Sequence, residues 1–197
     1  MFQIYSEHVV DPIDGARARE YALLATLLAK SPDTQLIRQL ASLGCDESPL
    51  GIAHASLANA AAQTSESSAA REYLELFIGL ESGLLPYSSY YLTGSLCGPP
   101  LARVRQSFQR LGIEAALPWE PEDHIVILFE VMAGLVSGDI AGPAGADREF
   151  FGRQLAPWAR RFCVDLENAK SARFYACVGS LGRVFMDIEA DAYSLAS

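Results

Sequence analysis

Apolar residues recur at three- and four-residue spacing along almost the whole chain, and no stretch alternates apolar and polar positions over the length of a strand. The pattern predicts helices throughout. A first helix is expected after Asp14, a good N-cap, with Tyr21, Leu24, Leu27 and Leu28 on its apolar face. Ser31-Pro32 ends it and also reads as N-cap and first residue of the next helix, whose stripe is Leu36, Ile37 and Leu40 before a stop at Gly44. Ser48-Pro49 repeats that start signal ahead of an alanine-rich helix through Ile52, Leu57 and Ala60. A polar break at 64–68 precedes a helix that carries Tyr73 and ends near Gly79.

Residues 79–100 break the periodicity. They contain Gly83, Pro86, Gly94, Gly98, Pro99 and Pro100, and predict a long irregular connection, the kind of segment that is either functional or mobile. Helical spacing returns with Leu101, Val104, Phe108 and Leu111, closed by Gly112. Leu117-Pro118-Trp119 then leads into a helix headed by Pro121, with Ile125, Leu128, Phe129, Met132 and Leu135 on one face. After a second break at 138–145, one helix is expected around Phe150, Leu155, Trp158 and Phe162, and a last one holds Phe174, Val178, Leu181, Phe185 and Ile188. The expected fold class is all-α: a single-domain helical bundle of about eight helices with one long irregular loop, spanning 1–197. A hinge at 138–145 would permit a domain-swapped dimer, so monomer and swapped dimer both stay open.

Composition narrows the partners. Half of the 197 residues are hydrophobic and a fifth are charged, which suits a globular protein with a large core. The formal net charge of -9 disfavours nucleic acid and anionic lipid and favours a basic partner. Residues 1–11 have no basic start, apolar run or cleavage site, and the apolar runs elsewhere are too short to span a bilayer. The expectation is a cytoplasmic protein without stable membrane insertion. Cys45, Cys97, Cys163 and Cys177 are scattered, form no C-x-x-C pair and have no histidine at ligand spacing. They are expected to be reduced and mostly buried, with no metal site and no cofactor.

Three elements carry candidate chemistry. Pro121-Glu122-Asp123-His124 reads as a helix start, with Glu122 and Asp123 where the helix dipole favours negative charge. Tyr73, Leu76 and Phe77 share one helical face, flanked by Glu72 and Glu75, and form either a buried stripe or an apolar wall with an acidic edge. Pro86-Tyr87-Ser88-Ser89-Tyr90-Tyr91 offers aromatic area that covers a groove or straps the bundle together. Acid–base work by Asp123 and His124 is disfavoured, because adjacent helical residues do not face each other. There is no G-x-S-x-G, P-loop, G-x-G-x-x-G or H-E-x-x-H to accompany them. His8 and His54 stand alone.

In order and spacing, Tyr73-Leu74-Glu75-Leu76-Phe77, then 86–91, then Pro121-Glu122-Asp123-His124 resemble the signature of the TorD/DmsD/NarJ-type molybdoenzyme chaperones, the TorD/DmsD branch in particular. Phe129-Glu130-Val131-Met132-Ala133-Gly134-Leu135 is similar to the family's continuation of the last helix. Several relatives carry Trp where this chain has Tyr73. The resemblance implies a cytoplasmic chaperone, not an enzyme. Its partners would be the immature catalytic subunit of a molybdenum-cofactor oxidoreductase and that subunit's twin-arginine signal peptide. It would assist cofactor insertion and delay export. Carried over residue by residue, it implies a peptide site of Tyr73, Leu76, Phe77, Pro86, Tyr87, Pro121, Glu122, Asp123 and His124. Asp123, with Glu122 or Glu120 nearby, would pair with arginine, and the aromatic residues would receive the apolar part of the peptide. The alternative is a helical adaptor or regulator in which both motifs are packing and no signal peptide is bound.

Overall fold

The computed structural model describes residues 11–44, 46–78, 83–114 and 120–195. Expectations for 1–10, Cys45, 79–82 and 115–119, which include His8, Gly79 and Trp119, lie outside the described residues. Among those described there are ten α-helices, two π-helical turns and no β-strand. The helices are α1 (Pro12–Ala29), α2 (Thr34–Ala41), α3 (Pro49–Ala62), α4 (Glu66–Tyr73), α5 (Ser88–Thr93), α6 (Pro99–Leu111), α7 (Ile125–Ser137), α8 (Ala146–Phe150), α9 (Ala159–Glu167) and α10 (Phe174–Leu195). The π-turns, Leu74–Ile78 and Phe151–Leu155, continue α4 and α8.

The first two helix starts differ from expectation. α1 begins at Pro12, because Asp11 accepts a hydrogen bond from the Ile13 N–H at 2.8 Å and Pro12 fits the first helical position. Asp14 lies inside the first turn and pairs with Arg17 at 2.8 Å. α2 is capped by Asp33, which accepts from the Leu36 N–H, and Ser31-Pro32 precedes it as connection. α3 starts as expected, with Ser48 accepting from Gly51 N–H and Pro49 following.

The connection at 79–100 is less irregular than its composition suggests. α5 occupies part of it, and α6 already begins at Pro99. Tyr91 straps this segment to α9: its ring lies 5.4 Å from Trp158 and 6.0 Å from Phe162, and its hydroxyl donates to Asp165 at 3.0 Å. The single helix expected around 150–162 is instead α8, a π-turn and α9, interrupted at Pro157. The bundle therefore has more and shorter helices than the expected eight.

The core forms where α1 packs between α7 and α10. Tyr21 of α1 lies edge-on to Phe185 of α10 at 4.7 Å and tilted against Phe129 of α7 at 5.6 Å. Glu189 is fully buried there, but it accepts from the Arg17 guanidinium on both oxygens at 2.8 and 2.9 Å and from the Tyr21 hydroxyl at 2.9 Å. α9 and α10 pack with their backbones nearly touching: a Cβ on Gly179 would stand 2.4 Å from the Glu167 nitrogen. Cys163, in that interface, is buried and its thiol is pushed up to about 12. Cys177 is half-buried, while Cys97 is exposed, contrary to expectation. Among the described residues these three cysteines are free. No group of side chains there is placed to hold a metal ion, and no helix is long and apolar enough to cross a membrane.

Candidate functional site

The Tyr73 motif is not a plain helical stripe. After Tyr73 the helix widens into the π-turn Leu74–Ile78, which changes the direction of successive side chains. Tyr73 and Phe77 end up with rings 4.9 Å apart, backed by Tyr175 of α10 at 5.8 and 5.5 Å. The Tyr73 hydroxyl donates to the carbonyls of Leu28 and Ala29 at 3.2 and 2.9 Å, satisfying acceptors left open at the end of α1. Leu76 points the other way and is a core residue, 2% exposed. Leu74 and Ile78 are exposed.

Pro121-Glu122-Asp123-His124 does not open α7 but precedes it. The His124 N–H donates to the Pro121 carbonyl at 3.1 Å, which closes a turn, and the helix begins at Ile125. His124 is the N-cap: its Nδ1 accepts from the Val126 N–H at 3.2 Å, which assigns the ring proton of the neutral imidazole to Nε2. Burial pushes the His124 pKa below its ordinary value, against the opposing pull of Glu120 and Asp123. The imidazole also stands edge-on to Tyr87, with ring centres 4.9 Å apart.

Asp123 has no exposure at all. Its Oδ2 accepts from the Ser89 N–H at 2.8 Å and from the Ser88 hydroxyl at 3.2 Å, and its carbonyl accepts from the Ser88 N–H at 3.0 Å. Tyr87 at the start of α5 supplies no side-chain cap, so Asp123 caps that helix from a distant segment. The Ile125 N–H donates to the Pro86 carbonyl at 2.8 Å, and Tyr87 and His124 form an isolated antiparallel bridge. These bonds fix the two motifs against each other. They also correct the expectation that Asp123 receives an arginine, because a sealed carboxylate cannot reach one.

The other acids divide between packing and the site. Glu122 faces α6 and pairs with Arg105 at 2.9 Å. Glu72 is buried, where it accepts from the N–H groups of Arg173, Phe174 and Tyr175 at 2.7, 3.3 and 2.7 Å and so caps α10. Glu75 is exposed, outside the lining of the cleft. Glu120 does reach the site, accepting from the Tyr87 hydroxyl at 2.7 Å.

Tyr73, Phe77, Pro86, Tyr87 and His124 thus line one cleft of about 350 Å³, together with Leu85, Ile78, Glu120, Val126, Ile127 and Glu130 and the end of α1 at Leu28 and Ala29. Leu76 and Asp123 lie behind its wall, and Pro121 and Glu122 lie outside it. The lining is mostly apolar and aromatic, carries two carboxylates, and includes no Lys or Arg. Such a cleft accepts an apolar segment and attracts a nearby cation. Sequence reasoning missed Leu85, Ile78, Val126, Ile127 and Glu130. For Val126, Ile127 and Glu130 a signal exists: Glu130 follows the other two at spacings of four and three, which puts them on one helical face just after His124.

Residues 44–164 match the profile of the nitrate reductase delta subunit family, so the match spans well over half of the chain and all three motifs. The chain belongs to this family. It is one of TorD/NarJ-type chaperones of redox-enzyme maturation, and its member here is a chaperone, not an enzyme. The protein is 29% identical to the chaperone protein TorD of Shewanella loihica, an alignment covering 92% of this chain and 94% of that one. It is 24% identical to the chaperone protein TorD of Shewanella piezotolerans over 89% and 91% of the two chains. In fold it matches a crystal structure of a provisionally assigned redox enzyme maturation protein from Archaeoglobus fulgidus, with a TM-score of 0.59, 22% identity, and coverage of 87% and 93%. As a family member the protein assists the maturation of molybdoenzymes.

Proposed function

We propose that this chaperone works in the cytoplasm and holds the immature catalytic subunit of one molybdenum-cofactor oxidoreductase. It engages that subunit's twin-arginine leader in the cleft between the Tyr73 turn, the 85–87 segment and α7. The observation that carries this reading is the composition of the cleft: apolar and aromatic walls, two acidic groups and no basic one. A leader of this type has two arginines followed by an apolar run, and each part has a counterpart in the lining. Occupying the leader would delay export, and holding the subunit would keep it open for cofactor insertion. Neutral His124 contributes an Nε2–H donor to the cleft wall, suited to a carbonyl of an extended peptide.

The test is to delete the protein from its own host and measure the molybdenum content and export of each molybdenum enzyme there. One enzyme is expected to lose its cofactor and to regain it when the wild-type protein is restored but not when Phe77→Ala and Tyr87→Ala are restored together. Unchanged loading and export of every such enzyme would contradict the proposal.

A further inference from the structure

Beside the cleft lies an open channel of about 640 Å³ between α1 and α7, and among the described residues Glu130 is the one that lines both. Glu130 is also the only charged residue in α7, a helix otherwise built of apolar and small residues. It stands one turn beyond Val126 and Ile127, on the same face. No hydrogen bond or ion pair engages its carboxylate among the described residues. Its side chain is exposed in the channel, yet the partial desolvation it does undergo there pushes its carboxyl pKa upward. The other acids of the region have partners: Glu120 has Tyr87, Glu122 has Arg105, Glu72 has α10, and Asp123 holds α5 through Oδ2, its Oδ1 being buried without a partner and out of reach of the cleft.

We propose that Glu130 is the specificity-determining carboxylate for a basic residue of the client peptide. The peptide's apolar stretch fills the cleft, and its arginine or lysine pairs with Glu130 where cleft meets channel. Ala22 and Ala133, small residues on the two channel walls, leave room for the aliphatic stem of that side chain. Arg19 and Asp139 also line the channel, one charge of each sign, so with Glu130 its lining is net negative. From Val126 to Ser137 the α7 wall is about 16 Å long at ~1.5 Å per residue, room for roughly five residues of extended peptide. This inference rests on the peptide-binding reading above.

The test uses two labelled synthetic peptides, one with paired arginines ahead of an apolar run and one with those arginines replaced by glutamine, measured by fluorescence anisotropy. Glu130→Gln is expected to weaken the arginine peptide about two- to fivefold, to leave the glutamine peptide unchanged, and to keep the wild-type melting temperature. Glu122→Gln, at an acid already paired outside the cleft, should change neither peptide. Glu130→Gln binding both peptides as the wild type does, while Phe77→Ala still loses binding, would overturn the role of Glu130 and leave the cleft reading standing. Equal loss of both peptides in Glu130→Gln would show no coupling to the basic residue and would also overturn it. A wild-type protein that binds neither peptide would overturn both readings.

Discussion

The Asp123 carboxylate accepts a hydrogen bond from the Ser89 N–H at 2.8 Å, thirty-four residues earlier in the chain, and both groups are buried. One bond thereby joins the two segments that carry the proline–tyrosine loop and the acidic–histidine motif. It explains how short motifs on separate elements come to share a cleft. The acid is a fastener for α5, and the surfaces it aligns are Pro86, Tyr87 and His124.

Asp123→Ala is therefore expected to damage the fold before it damages binding. It leaves the Ser89 N–H and the Ser88 hydroxyl unpaired in a dry interior, a cost of roughly 2–4 kcal/mol. For a chain of this size that lowers the melting temperature by roughly 5–12 °C. Asp123→Asn retains an acceptor and should lose about half as much or less. Calorimetric melting of the two variants checks this. A melting temperature unchanged in Asp123→Ala would refute the fastening role.

Glu72→Ala is expected to act likewise at the other end of the bundle. It removes the acceptor for three N–H groups at the start of α10 and should cost about 1–3 kcal/mol in chemical denaturation. Amide exchange should quicken first at 173–175. An exposed glutamate such as Glu75, replaced in the same way, should change stability by less than about 0.5 kcal/mol.

The two described histidines should bias stability in opposite directions with pH. His124 has a lowered pKa in the folded state, chiefly from burial. Its contribution is present above the ordinary value of 6.5 and is lost as pH falls from there through the lowered value, because protonating Nδ1 removes the cap on α7. His54 has a raised pKa because it bonds Glu20, at 3.0 Å. Its contribution is present in full below 6.5 and is lost as pH rises through the raised value. Unfolding free energies measured from pH 5 to pH 8 should rise less steeply with pH in His124→Asn than in the wild type. They should fall less steeply in His54→Gln. Parallel curves for all three proteins would contradict both assignments.

How much of this was legible in the sequence depended on whether a residue's role was local. α3, α6 and α10 follow from apolar spacing and from caps such as Ser48 and Gly112, because those signals act within one helix. The motif order singles out Tyr73, Phe77, Pro86, Tyr87 and His124, and these five line one cleft. The acids were misassigned for the opposite reason. Asp123 and Glu72 cap helices that lie far away in sequence, and Glu122 pairs across to α6, none of which periodicity encodes. A regular α-helical turn would put Leu76 on one face with Tyr73 and Phe77. The π-turn at Leu74–Ile78 removes that premise.

The central claim is that the cleft takes an apolar peptide segment, and titration calorimetry on one variant tests it most directly. Phe77 is half-buried at the cleft wall, so Phe77→Ala removes contact area there at modest cost to the core. The titrant is a synthetic twin-arginine leader from a molybdenum enzyme of the same host. Saturable binding to the wild type is expected, with at least tenfold weaker binding to Phe77→Ala and a fold intact by circular dichroism. Equal affinity of the two proteins for that leader would contradict the claim.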